Sequence, residues 1–200
     1  MRNYIKYYIQ VVGLSGVEDI SIKYIVIMSK FLNSNPIFDF GTQKDRIEEL
    51  INFDLPQDFI DFIKVNNSAQ GNELCLRYNG KTYLFSEVLD FLLPIEDGRS
   101  PFSYYDHFQD RIPQGLFPFA SEASGDLFCY GKPIGHGEDK MGIYYHHHEG
   151  VITSKGHFEF KTFFLFETIS LFVENLIFCY DEGKDEDKEG FEKWLRNLNN

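Results

Sequence analysis

Apolar residues along this chain switch between a helical period and a strand period, and the switches mark its elements. Residues 4–12 read as a β-prone run closed by Gly13. Two readings stay open over residues 19–32. Ile20, Tyr24, Ile27, Met28, Phe31 and Leu32 fit one helix face, while Ile20, Ile22, Ile25, Val26 and Ile27 are β-branched enough for a strand; the helix is preferred. Asn33-Ser34-Asn35-Pro36 breaks either pattern. Thr42 is placed to cap a short helix whose Ile47, Leu50 and Ile51 share a side. Pro56 suits the first turn of a second helix, where its missing N–H costs nothing. Phe59, Ile60, Phe62 and Ile63 give that helix a core side, and Asn66-Asn67 should end it in left-handed backbone.

The middle of the chain alternates instead. Residues 73–78 and 81–85 flank Asn79-Gly80, a type I′ hairpin signal. Ser86 followed by Glu87-Val88-Leu89-Asp90-Phe91-Leu92 reads as a short capped helix. Residues 94–111 read as a loop, although Phe102, Tyr104, Tyr105 and Phe108 require part of it to pack. Apolar runs at 116–119 and 127–130 form a hairpin-like pair with Gly125-Asp126 at the return. A glycine-rich loop spans 131–142, a strand spans 143–148, and Glu149-Gly150 turns it back.

Ile169, Phe172, Val173, Leu176, Ile177 and Tyr180 then paint one helical stripe, with Thr168 as cap. Residues 181–189 hold six acids and two lysines and read as an exposed linker. Phe191, Trp194, Leu195 and Leu198 share the face of a last helix, supported by Glu189–Lys193 and Glu192–Arg196 pairs. The resulting division is an N-terminal extension of open structure over 1–41, an α+β body over 42–180, and an acidic linker with an amphipathic helix over 181–200.

Composition narrows the function. Two hundred residues suit one domain, and 21 Phe with 12 Tyr build a ring-rich core. A net charge of −12 and an isoelectric point near 4.9 disfavour direct binding to nucleic acid or to anionic membrane, and favour basic partners. Acidity also serves solubility alone. Three widely spaced cysteines, Cys75, Cys129 and Cys179, fit neither a zinc ribbon nor a disulfide framework. With no secretory pattern and no membrane-length apolar run, the chain reads as cytoplasmic.

Catalytic signals are incomplete. His146-His147-His148-Glu149 is the densest cluster. On a strand, His146 and His148 share a face and are weak metal candidates, with His136, Glu138 or Asp139 available to close a shell. No HExxH follows, and His136-Gly137-Glu138 lacks the paired cysteines of a zinc deaminase. Phosphate-loop and nucleophile-elbow patterns are absent. We therefore expect no catalytic residues, no cofactor and no metal.

Several motifs occur in a recurring order. Leu55-Pro56 with Phe59, Asn66, Ile112-Pro113, Gly115-Leu116, Pro118-Phe119-Ala120, Gly125-Asp126, Ile143-Tyr144-Tyr145-His146 and the residues from Phe166 to Leu176 together resemble the SUKH superfamily, the group of Smi/Knr-like regulators and bacterial immunity proteins. The resemblance covers roughly residues 42–180. It departs at both ends and at Asn66-Asn67-Ser68, where Asn-Gly-Gly is expected. It implies a twisted antiparallel sheet with helices packed on one side, without catalytic machinery. It further implies a protein-binding module, chiefly an immunity protein that neutralises a cognate polymorphic toxin, often a nuclease.

The alternatives are a regulatory scaffold, or an enzyme with a small ligand or metal in the His136–Glu149 region. For a basic toxin domain, the expected contact surface combines Tyr104, Tyr105, Asp106, Asp110, Glu122, Asp126, Glu138 and Asp139. Gly125-Asp126 is equally readable as a turn alone.

Overall fold

The computed structural model describes residues 39–135, 140–152, 156 and 158–179. The elements expected in 1–38 and 180–200 lie outside them, as do His136, Glu138 and Asp139. Helix α1 (Gly41–Ile51) buries Ile47 and Ile51. Phe40, not Thr42, stands at its cap position, and the Asp39 carboxylate accepts the Gly41 N–H at 2.9 Å. Thr42 is thus inside the first turn.

Pro56 stands at the cap of α2 (Gln57–Asn66), one residue before the helix. That helix does not stop through left-handed asparagines. Asn67 is extended, and Ser68 takes the positive φ of 56°. The asparagines act through side chains. Asn66 donates to the Phe62 carbonyl, while Asn67 donates to Asp90 Oδ1 and accepts the Phe91 N–H.

Strands β1 (Gln70–Tyr78) and β2 (Lys81–Val88) meet at Asn79-Gly80, with φ of 49° and 74°, the positive pair a type I′ turn needs. The helix expected from Ser86 does not form. Strand β2 runs to Val88 because Glu87 and Val88 pair with Ser121 and Ala120, and the Leu89 N–H reaches Phe119 O. The expected loop at 94–111 instead contains α3 (Pro101–Phe108), led by Pro101 and burying Phe102 and Phe108. The spacing of Phe102, Tyr105 and Phe108 is helical, so the aromatic residues that looked odd in a loop form a packed face.

Strands β3 (Leu116–Glu122) and β4 (Leu127–Gly131) form the expected hairpin. They are followed by β5 (Gly142–His146), β6 (Val151–Ile152), β7 (Phe158–Glu159) and β8 (Thr162–Phe166). Helix α4 (Ile169–Asn175) begins at Thr168, whose Oγ1 accepts the Leu171 N–H at 3.2 Å. The apolar stripe predicts helix to Tyr180, yet the helix ends at Asn175. Leu176 and Ile177 belong to β9 (Leu176–Phe178) and pair with Leu76 and Cys75. Edge pairing with β1 overrides the local helical pattern.

Seven strands form one antiparallel sheet in the order β8-β5-β4-β3-β2-β1-β9, and β6-β7 is a separate ribbon. The fold is α+β, and α1, α2 and α4 bury their apolar sides in the main core on one face of the sheet. Side chains alternate between faces, so Phe128, Tyr130, Ile143 and Tyr145 enter that core, while Leu127, Cys129 and Tyr144 enter a smaller cluster with Phe108 and Ile112. Helix α3 serves both clusters: Phe102 and Tyr105 pack in the first, Tyr104 and Phe108 in the second. Beside the smaller cluster the backbones cross closely. A Cβ on Gly131 would lie 2.0 Å from Gly115 O, and one on Gly115 would lie 2.2 Å from Lys132 O.

Candidate functional site

The polar chemistry of the molecule gathers where the β3–β4 turn meets the end of β5. Asp126 is 8% exposed and anchors it. Its Oδ2 accepts the Tyr145 hydroxyl at 2.7 Å and faces His147 Nδ1 at 2.8 Å. Its Oδ1 accepts the His148 N–H at 3.0 Å and faces His148 Nδ1 at 2.8 Å. Gly125, at φ 95°, leaves room for the His148 ring, since a Cβ there would stand 3.2 Å from it. Burial alone would raise the Asp126 carboxyl. Bonds from Tyr145 and His148 and the nearby His147 outweigh it and hold the group below its ordinary range. The same burial and bond push the Tyr145 hydroxyl upward.

This geometry corrects the expected face assignment. Strand β5 ends at His146, so alternation stops there, and His147 and His148 converge on Asp126 instead of diverging. His146 is fully buried, with Nδ1 2.8 Å from Thr162 Oγ1 and its ring stacked on Phe160 at 6.3 Å. Burial, the largest influence, lowers it to about 4, so it is neutral at physiological pH. Its Nε2 has no hydrogen-bond partner among the described residues. His146 and His148 therefore share no ligand position, and among the described residues no group of three His, Cys, Asp or Glu is placed to hold a metal ion.

Next to this network lies a cleft of about 590 Å³, walled by residues 110–114, Pro133, Tyr144, Glu159, Phe160 and Thr162. The Arg111 guanidinium lies over two rings, 5.4 Å from the centre of Phe108 and 5.5 Å from that of Phe160. Its Nε is 3.7 Å from Asp110, a loose ion pair whose acidic partner is 75% exposed.

The expected contact residues separate into groups. Asp106 and Asp110 present exposed carboxylates around the end of α3. Tyr104 and Tyr105 are half-buried beside them, with rings stacked on Phe108 and Phe117. Glu122 is half-buried, its carboxylate engaged in accepting the N–H groups of Leu84 and Ser124. Asp126 is sealed inside its network, so it joins the turn to β5 and is not presented on the surface with the other acids. Glu138 and Asp139 lie outside the described residues. Sequence reading missed Arg111, Phe160 and Thr162. The cleft gathers them from two separate stretches of chain, and none carries a local motif.

The SMI1 / KNR4 family (SUKH-1) model matches residues 43–175, and the chain belongs to that family. The Leu-Pro, Pro-Phe-Ala and Gly-Asp motifs fall within that span. It is a SUKH-type protein, and members of this family are often immunity proteins. Neither the curated proteins nor the solved structures contain a match to the chain. Among the described residues, no helix is long and apolar enough to cross a membrane.

Proposed function

We propose that the protein is a non-catalytic binding module, an immunity protein that neutralises a basic toxin domain through the acidic, aromatic end of α3. One observation carries the reading. Asp106 and Asp110 are exposed, held among the described residues only by long contacts of 3.5 Å to Gln109 and 3.7 Å to Arg111, while Tyr104 and Tyr105 beside them are pinned by ring stacking. Rigid aromatics next to exposed acids suit an anchored, charge-steered interface. The net charge of −12 adds long-range attraction for a basic partner. Asp126 supports this surface from behind without contacting the partner, because His148 of its network touches Phe108 at 6.1 Å between ring centres.

The test is protection of cells that express the toxin encoded beside this chain. Wild type restores growth. Joint Asp106→Lys and Asp110→Lys substitution loses protection while keeping the melting transition, and wild-type association slows as salt rises. Full protection by the folded double variant would move the interface elsewhere. Failure of the wild type would end the immunity reading.

A further inference from the structure

The geometry points to the cleft beside α3 as a binding site for a carboxylate carried on an apolar body, with Arg111 as the anion clamp and Phe160 as the apolar wall. Arg111 carries five N–H donors in a rigid fork. Its described contacts are the two rings and a 3.7 Å approach to Asp110, so no donor makes a hydrogen bond among the described residues. The two rings hold the guanidinium plane in place, which removes much of the ordering cost of a bidentate contact. Its side chain keeps 35% exposure, enough to be reached from the cleft.

The wall behind offers a second unmet polar atom. His146 is fully buried, and it contacts two residues of the lining, Phe160 by stacking and Thr162 by a hydrogen bond. With the Thr162 hydroxyl donating to Nδ1, Nε2 carries the ring proton and lacks an acceptor. A buried donor left unpaired is costly, and this one sits behind the lining, not in it. Ile112, Pro113, Pro133, Tyr144 and Phe160 supply the apolar surface for the ligand body, and the volume admits a small organic acid or the end of a peptide.

Charges at the cleft are mixed, which makes the reading sharp. Asp110 and Glu159 oppose an anion, but both are exposed and water screens them. Arg111, lying against rings, is screened less. Removing the Asp110 charge should therefore tighten carboxylate binding, whereas a cation in the same cleft would bind more weakly after that change.

The experiment is NMR titration of the full chain with 3-phenylpropionate, acetyl-Gly-Gly-Phe, and the amide of each. Either acid should give saturable shifts at Gln114, Thr162 and the Arg111 side chain, with roughly tenfold weaker binding of its amide. Arg111→Gln should cost about tenfold and Phe160→Ala several-fold, while Arg111→Lys should fall between wild type and Arg111→Gln. Asp110→Asn should tighten binding about twofold or more. The tighter of the two acids identifies a free small molecule or a chain terminus as the source. The native spectrum of each variant reports its fold. Equal binding of acid and amide, no saturable shift, or an unchanged affinity in folded Arg111→Gln would overturn the site. The test uses no toxin, so its outcome is separate from that of the immunity reading.

Discussion

The two faces of the sheet solve different problems. On the main face, phenylalanine rings and aliphatic side chains fill most of the space, with a few tyrosines among them. Phe119 meets Phe59, Phe62 and Phe172 at 5.4, 6.2 and 5.7 Å between centres, and Phe128 meets Phe172 at 5.2 Å. Aromatic edges meet aromatic faces, and packing dominates stability there. Beside the smaller cluster on the other face, polar groups are buried among the rings, and each must find a partner. Asp126 finds Tyr145, His147 and His148, whereas His146 Nε2 and the Arg111 fork do not. A filled dry core is a scaffold.

The largest effect should come from breaking the dry side. Phe172→Asp puts a carboxylate against Phe85, Phe119, Phe128 and Phe166, with no partner for it. It should abolish cooperative unfolding by circular dichroism. A wild-type melt would refute the assignment of α4 to the core.

Next is the satisfied part of the polar side. Asp126→Ala strands the Tyr145 hydroxyl and the His148 N–H, so a loss of roughly 3 kcal/mol is expected in urea denaturation. A change within about 0.5 kcal/mol, the size of an ordinary surface substitution, would show that this network is not structural.

The unsatisfied part gives a pH signature. His146 falls from an ordinary 6.5 to about 4 on folding, so the unfolded chain takes up its proton first as pH drops. Its contribution is intact above about 6.5 and is lost between about 6.5 and 4, roughly 3 kcal/mol in total. Asp126 shifts in the same direction, in a more acidic window. Its lowered carboxyl stabilises above the ordinary 3.8 and is lost as pH falls through its still lower folded value. The two windows are separable: His146→Leu should flatten the stability profile between about 6.5 and 4 and leave the steeper acid limb in place. An unchanged upper window would contradict the buried, neutral histidine.

The smallest effect sharpens the scaffold side. Ser68 holds a left-handed φ of 56°, a backbone region that favours glycine. Ser68→Gly should raise stability by at most about 1 kcal/mol in urea midpoint. A clear loss would show that the serine contributes more than its backbone costs.

What could be read from sequence follows the range of the interactions. Asn79-Gly80 was legible because a two-residue turn states its own geometry, and the longer β3–β4 return because Ser, Gly and Asp mark a turn. Thr168 was legible as a cap for the same local reason. Residues 86–88 and 176–177 were misread because strands distant in sequence settle them. Ser121 and Ala120 claim the first, and Cys75 and Leu76 the second. Helix α3 was hidden by proline and polar residues, although its aromatic spacing was helical. The histidine cluster was visible, but its purpose was not. Three adjacent imidazoles suggest a metal until Asp126 is seen to engage two of them.

The central claim is that recognition belongs to the polar side, around α3, and that the helical side is scaffold. Hydrogen–deuterium exchange of the full chain, with and without a basic toxin domain against which it protects cells, tests this directly. The account predicts new protection across residues 101–114, with α1 and α2 unchanged. Protection confined to α1 and α2, with residues 101–114 exchanging as in the free protein, would contradict it.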